Sequence, residues 1–401
     1  MNGQEPAANP ASPLPRDAAA ILGEAGVRRV LSPIEEPSGL PNAAFWSEEW
    51  LRLENERIFR RSWVFAGAVA ELDLDTVKPV EIGGTPIILV RDGDAVRAFH
   101  NVCRHRGTRL VSAPCRKSAI VCAYHAWNYR LDGSLRSRPH FHGPNKVERF
   151  EAGARPDLAL HAVRTEVWNG CVFVDLSGEA PPLVDWLKPL LERTRAFDFS
   201  QIRWIGKQTF RFRSNWKLVL ENWMEGYHVF AAHPRLIDHA PMDVRWSGEW
   251  MDHVFYNDYL APRLSDGRGE GGLPHFPGLS EDEKRRGMWF TVFPTFCAEV
   301  YADQFVVLSA TPVAPDETVE ELHFFVVGDE AATAGQYEAG RASLMSMWHD
   351  LNLEDVTILE ELQQGRRSMA FEGSLMSPAW EVPAHQLAQR ILFALADGEP
   401  S

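Results

Sequence analysis

Two thiols and two imidazoles at short, paired spacings constrain this 401-residue chain more than anything else in it. Cys103-Arg104-His105 is followed, after sixteen intervening residues, by Cys122-Ala123-Tyr124-His125. Four ligands of this kind converge on one metal centre when two loops of a β domain face each other. Tetrahedral zinc satisfies such a set, and so does a [2Fe–2S] cluster with two Cys on one iron and two His on the other. Common zinc modules pair Cys with Cys and His with His. Here each loop supplies one of each, so each loop can touch both irons, and the cluster is the preferred occupant.

The remaining cysteines sharpen that reading. Cys115, Cys171 and Cys297 bring the total to five, an odd and sparse set that argues against a disulfide framework and for a reducing, cytoplasmic setting. The balance of 41 basic to 55 acidic residues, formally −14, disfavours a nucleic-acid partner, whose affinity comes mainly from Lys and Arg. No apolar run approaches the roughly 18 residues that cross a bilayer, and Met1 to Arg16 lacks the pattern of a secretory signal, so no membrane association is expected.

Seven prolines between Pro6 and Pro41 break the N-terminal segment and leave one short helix near Ala18 to Gly23. Ser47 reads as an N-cap for a helix over Glu48 to Arg61. Short β-like runs follow, at Pro79 to Ile82, Pro86 to Val90, Val96 to His100, Ala119 to Ala123 and Val167 to Leu176. Beyond them come helical segments around Val184 to Arg195 and Trp216 to Ala232, strands at Trp289 to Phe293, Phe305 to Thr311 and Val319 to Val327, and a helical region over Ala331 to Gln364. Strands then helices without βαβ alternation predict an α+β chain. Gly267-Arg268-Gly269-Glu270-Gly271-Gly272 matches a dinucleotide fingerprint, but Pro274 and Pro277 leave no helix to hold a pyrophosphate, so it reads as a loop.

A cluster of this type moves one electron at a time and does not itself attack a carbon–hydrogen bond. A second site is therefore sought downstream. Glu221-Asn222-Trp223-Met224-Glu225-Gly226-Tyr227-His228 leads to His233-Pro234. Residues five apart on a regular helix point about 140° away from each other, so the helix must break or bulge between His228 and His233. Two His and one carboxylate form the facial triad of non-haem Fe(II) oxygenases. Spacing alone nominates Glu225 as the carboxylate, one turn before His228.

Asn101-Val102-Cys103-Arg104-His105-Arg106-Gly107 and Cys122-Ala123-Tyr124-His125-Ala126-Trp127 resemble the two cluster loops of the Rieske non-haem iron oxygenases, the ring-hydroxylating oxygenase α subunits. The departure is Ala126, where that family usually has Gly, which implies a different backbone path just past His125. The resemblance runs from about Leu40 to Gly365 and includes Glu354-Asp355, Glu360, Gln363 and Gly365, similar to the family's acidic C-terminal signature. It implies that Cys103, His105, Cys122 and His125 hold a Rieske [2Fe–2S] cluster. It further implies that His228, His233 and Asp355 hold Fe(II), with Asn222 near the iron. Glu225 then bridges His228 to His125 of a neighbouring subunit.

The implied organisation is an arm over 1–43 packing on the catalytic domain, a small antiparallel β Rieske domain over 44–165, and a catalytic domain over 166–401 with an antiparallel sheet covered by helices. The implied activity is that of a terminal oxygenase component, which uses O₂ and electrons from an NAD(P)H-dependent reductase or a ferredoxin to hydroxylate an aromatic compound or demethylate a small organic substrate. A homotrimer is implied as well. Glu225, where many aromatic dioxygenases have Asp, resembles the subgroup that oxidises quaternary ammonium compounds. Trp223, Phe230, Trp289, Phe293 and Phe296 are the expected pocket aromatics. The alternatives are a Rieske electron carrier without catalysis and a zinc-stapled binding protein.

Overall fold

A computed structural model describes residues 16–36, 38–262, 272–371 and 373–396. The chain packs as two units, one from Phe59 to Leu183 and the other made by the described residues on either side of it. The boundary expected at 165 falls inside a strand, Ala162–Trp168, that pairs with Cys171–Asp175 on one side and Ala95–His100 on the other. A sheet cannot be divided through a paired strand, so the small unit continues to Leu183.

The strands of the small unit are β1 (Val64–Ala68), β2 (Thr76–Ile82), β3 (Thr85–Asp92), β4 (Ala95–His100), β5 (Cys115–Arg116), β6 (Ile120–Val121), β7 (Asn128–Tyr129), β8 (Leu135–Pro139), β9 (Val147–Arg149), β10 (Ala162–Trp168) and β11 (Cys171–Asp175). They make two antiparallel sheets, ordered β1-β11-β10-β4-β3-β2-β5 and β6-β7-β8-β9. The run expected from Val167 to Leu176 is a hairpin: Asn169 (φ 44°) and Gly170 (φ 82°) turn the chain between β10 and β11, as an Asn-Gly pair does when both positions need positive φ. Val77, Ile88, Val90, Phe99, Trp127 and Tyr129 fill the core, and Cys103 and Cys122 are buried among them.

In the large unit, β12 (Ile202–Phe212), β13 (Glu249–Met251), β14 (Val254–Leu260), β15 (Arg286–Val292), β16 (Phe296–Val300), β17 (Gln304–Ala314) and β18 (Glu317–Val327) form one antiparallel sheet, ordered β12-β18-β17-β16-β15-β14-β13. Helices cover it. Trp216–Met224 lies against β15 and β17, and the 28-residue helix Glu338–Gly365 against β12. The helix expected over Trp216 to Ala232 stops at Met224 and resumes only at Val229. Ser47 caps a helix, its Oγ accepting from Trp50 N, but the α-helical part ends at Glu54 and Asn55–Phe59 is a π turn. The N-terminal helix is longer than expected. It runs Arg16–Val30 across a kink at Gly23 (φ 74°) and packs on Val382–Ala394, where Gln389 Nε2 donates to Val30 O at 3.2 Å. Gly267 to Gly271 lie outside the described residues, and Gly272 to Ser280 contain no helix.

A buried ion pair fixes the helix that carries Asn222. Lys217 Nζ lies 2.7 Å from Glu54 Oε1, and both side chains are fully buried. Glu54 also accepts from Trp50 Nε1 at 2.7 Å and Trp216 Nε1 at 2.8 Å. Burial pulls the Lys217 pKa down while Glu54 opposes that shift.

Candidate metal centres and the adjoining pocket

The two loops of the small unit are built alike. Cys103 N donates to Thr108 O and Gly107 N to Cys103 O; Cys122 N donates to Trp127 O and Ala126 N to Cys122 O. Each loop thus closes on its own cysteine and presents a histidine at its tip. Gly107 has φ 74° and Ala126 φ 55°. The different path expected past His125 is therefore corrected: Ala126 takes the same left-handed conformation that Gly107 takes in the sister loop, at the steric cost of a Cβ.

Cys103 and Cys122 are buried and interact as a pair, whereas the rings of His105 and His125 meet nearer the surface with centroids 4.7 Å apart. Burial pushes the Cys103 thiol up, opposed by Tyr129, whose hydroxyl lies 3.3 Å from the sulfur. For Cys122 burial also acts upward, but backbone N–H groups of Tyr124 and His125 outweigh it and hold the thiol below its ordinary value. Trp127 stacks on His105 at 5.1 Å with the rings 2° from parallel. Two inner thiols with N–H donors and two outer imidazoles suit a cluster whose sulfur side is buried and whose histidine side is accessible.

In the large unit, ligand atoms of His228, His233 and Asp355 all lie within 4.8 Å of one another. The break after Met224 makes this possible, because it reorients His228 relative to the helix that precedes it. His233 Nε2 is 3.2 Å and His228 Nε2 4.0 Å from Asp355 Oδ1, which also accepts from Asn222 Nδ2 at 3.2 Å. Each imidazole turns its other nitrogen to a carboxylate. Glu225 Oε1 takes His228 Nδ1, while its Oε2 accepts from the backbone N of Tyr227 and His228. Glu354 Oε2 lies 2.6 Å from His233 Nδ1. Carboxylates on both Nδ1 atoms fix the tautomer that leaves both Nε2 lone pairs facing inward. Burial opposes a charge on His233, but Asp355 and Glu354 outweigh it and raise its pKa. The pocket thus favours a positive charge at its centre, which a divalent ion supplies.

Glu225, nominated by spacing as a ligand, sits outside the three converging atoms and orients His228 instead. Glu354 entered the sequence reading only as part of the acidic C-terminal signature, with no role of its own. Its signal was its position beside Asp355 together with the acceptor a ligating His needs on its second nitrogen.

A cavity opens beside these side chains. Its walls include Asn222, Trp223, His228, His233, Leu236, Arg245, Asn257, Trp289, Trp348, Leu351 and Asp355. Trp223 and Trp348 stack at 5.9 Å, and Trp223 Nε1 donates to Phe290 O at 3.2 Å. Phe230, Phe293 and Phe296 do not line it: Phe230 is 56% exposed, and Phe293 and Phe296 are buried in the fold. Trp348, Arg245 and Asn257 were not anticipated.

Among known proteins, residues 62–151 match the family described as Rieske [2Fe-2S] domain, and residues 199–396 the family described as ring hydroxylating alpha subunit (catalytic domain). The chain is 26% identical to a glycine betaine monooxygenase oxygenase subunit of Pseudomonas aeruginosa, over 85% of each protein. It is 26% identical to a carnitine monooxygenase oxygenase subunit of Escherichia coli, over 84% of this chain and 87% of the relative. The crystal structure of a quaternary ammonium Rieske monooxygenase shares its fold with a TM-score of 0.71 at 23% identity, covering 91% of this chain and 98% of the other. With one domain of each kind in a single α+β chain, the protein belongs to the Rieske non-haem iron oxygenases and is the terminal oxygenase component of such a system.

Proposed function

We propose that this oxygenase is a monooxygenase of a small quaternary ammonium compound. The observation that carries this reading is the trio Trp223, Trp289 and Trp348 on the cavity wall beside His228, His233 and Asp355. Indole faces attract a cation that cannot be deprotonated, and several around one cavity are the recognised way to hold a methylated ammonium. The names of the relatives at 26% identity support the same class.

In this reading Cys103, His105, Cys122 and His125 hold the cluster, and His228, His233 and Asp355 hold the ferrous ion. When bound, the cluster supplies single electrons from a reductase or ferredoxin, and the ferrous ion supplies the activation of O₂. The chain's own work is placement. Glu225 and Glu354 hold the imidazoles in one tautomer, Asn222 steadies the Asp355 carboxylate, and the indoles hold the substrate's methyl groups next to the metal. Glu225, already on His228, reaches His125 of a neighbouring copy in a closed homotrimer, and electrons cross there. No disulfide joins any of the five cysteines, which suits the cytoplasm.

The test is oxygen uptake by the iron-loaded protein with NADH and a Rieske reductase, run against glycine betaine, carnitine, choline and naphthalene. Substrate-dependent uptake with an oxidised or demethylated ammonium product is expected. Turnover of the arene alone would refute the assignment.

A further inference from the structure

We infer that Trp348 closes the far end of the cavity and so sets the greatest length of ammonium compound that can place a methyl group beside His228, His233 and Asp355. The inference rests on the quaternary ammonium reading above and deepens it. The helix Glu338–Gly365 acts as a ruler along one wall. Among the described residues, it contributes Trp348, Leu351 and Asp355 to the lining. At spacings of three and four these fall in one row on one helix face. Trp348 precedes Asp355 by seven residues, so their Cα atoms are about 10.5 Å apart along the axis at 1.5 Å per residue. The row continues to Leu344, which is fully buried and does not line the cavity. Trp348 is therefore where the space along the helix stops.

An end wall limits length only if it does not yield. Trp348 is 7% exposed and stacks on Trp223 with the rings 22° from parallel. Trp223 is pinned in turn by its Nε1, which donates to Phe290 O on β15. Side chains packed in this way resist the insertion of further methylenes. A substrate must bring the methyl that is oxidised next to the two histidines and Asp355, so whatever else the ammonium carries extends from there along Leu351 to Trp348. Leu351 offers that tail an apolar side. An uncharged tail is indifferent to Glu225, Asp355 and Arg245, the acidic and basic side chains on the same wall, whose fields act on the ammonium. The length limit is thus set by shape at the Trp348 end and is independent of the charge balance at the other.

The experiment is anaerobic equilibrium binding of an alkyltrimethylammonium series, from tetramethylammonium to octyltrimethylammonium, to the iron-loaded, cluster-containing protein. Cluster absorbance and iron content check the folding of each variant. In the wild type each methylene buried along Leu351 should tighten binding about fourfold, until the chain meets Trp348 and affinity falls. Trp348→Ala should move that break to chains longer by about four carbons, the reach of one 5.4 Å helical turn, and Trp348→Phe should move it by fewer. Where Trp348→Ala does not retain cluster and iron, Trp348→Phe decides. Affinity in the wild type that rises or levels off with no break would show that the tail leaves through the mouth of the cavity, and would overturn the inference. A break at the same chain length in the folded variants would overturn it too. Both results leave the quaternary ammonium reading standing, whereas failure of every member of the series to bind would remove that reading and this inference with it.

Discussion

The conformation of Ala126 shows what a single side chain costs in a loop that closes on its own cysteine and presents a candidate ligand. The turn that presents His125 requires positive φ at the residue after it, and the sister turn meets that need with Gly107. Alanine in this region is strained by roughly 1–2 kcal/mol relative to its preferred wells, a cost partly offset by the extra freedom glycine has in the unfolded chain. Ala126→Gly should therefore stabilise the small unit by about 0.5–1 kcal/mol and leave the visible spectrum of the cluster unchanged. Thermal loss of cluster absorbance measures it, with a midpoint expected to rise by roughly 2–4 °C. A lower midpoint would mean that the methyl group makes a contact worth more than the strain. At this scale the four candidate cluster ligands were legible because their chemistry and spacing are local. Asp355 came only through resemblance, since nothing local ties it to His228 more than a hundred residues earlier. Glu354 was hidden because its partner is a histidine nitrogen 121 residues earlier, and Arg245 and Trp348 because the cavity wall gathers residues from helices, strands and a loop remote from one another in sequence.

Elements were legible where hydrophobic period and boundary residues agreed. Strands β3, β4, β15, β17 and β18 lie where alternating or continuous apolar runs predict them. β12 was missed because its register shifts between Trp204 and Gly206, which resets the two-residue alternation along the strand. β16 is five residues, all buried, and too short to separate from neighbouring apolar segments by pattern alone. The pair Lys217–Glu54 is a different kind of omission: a lysine inside a helix reads as a solvated face, and only the tertiary structure reveals that it is sealed against Glu54, Trp50 and Trp216. Removing one member leaves the other charge buried without its partner. Lys217→Met should cost about 3–5 kcal/mol and loosen the helix that bears Asn222, whereas the double variant Lys217→Met with Glu54→Leu should recover much of that loss. Denaturant unfolding of the four proteins in the cycle yields the coupling. Additive effects would show that the pair does not act as a unit.

For the whole molecule the question is where an electron leaves one chain and enters the next centre. Glu225 spends one oxygen on His228 Nδ1 and the other on two backbone N–H groups, so a carboxylate with up to two acceptor sites per oxygen has capacity left for a donor from outside its own loop. If that donor is His125 of a neighbouring copy, a chain without a cluster and a chain without ferrous iron can complement each other within one oligomer. Cys122→Ser should abolish the cluster, and His228→Ala should abolish ferrous binding while keeping the cluster spectrum, so each homo-oligomer should be inactive. Mixed oligomers obtained by co-expressing the two, with different affinity tags to purify only those containing both chains, should regain product formation. Adding Glu225→Gln to the Cys122→Ser chain, which alone holds a working ferrous site, should slow that regained activity by weakening the link to His228 without removing either metal. Activity in mixed oligomers no greater than in the parents would place the electron path within a single chain. Recovery that is insensitive to Glu225→Gln would keep the path between chains and move it to other residues.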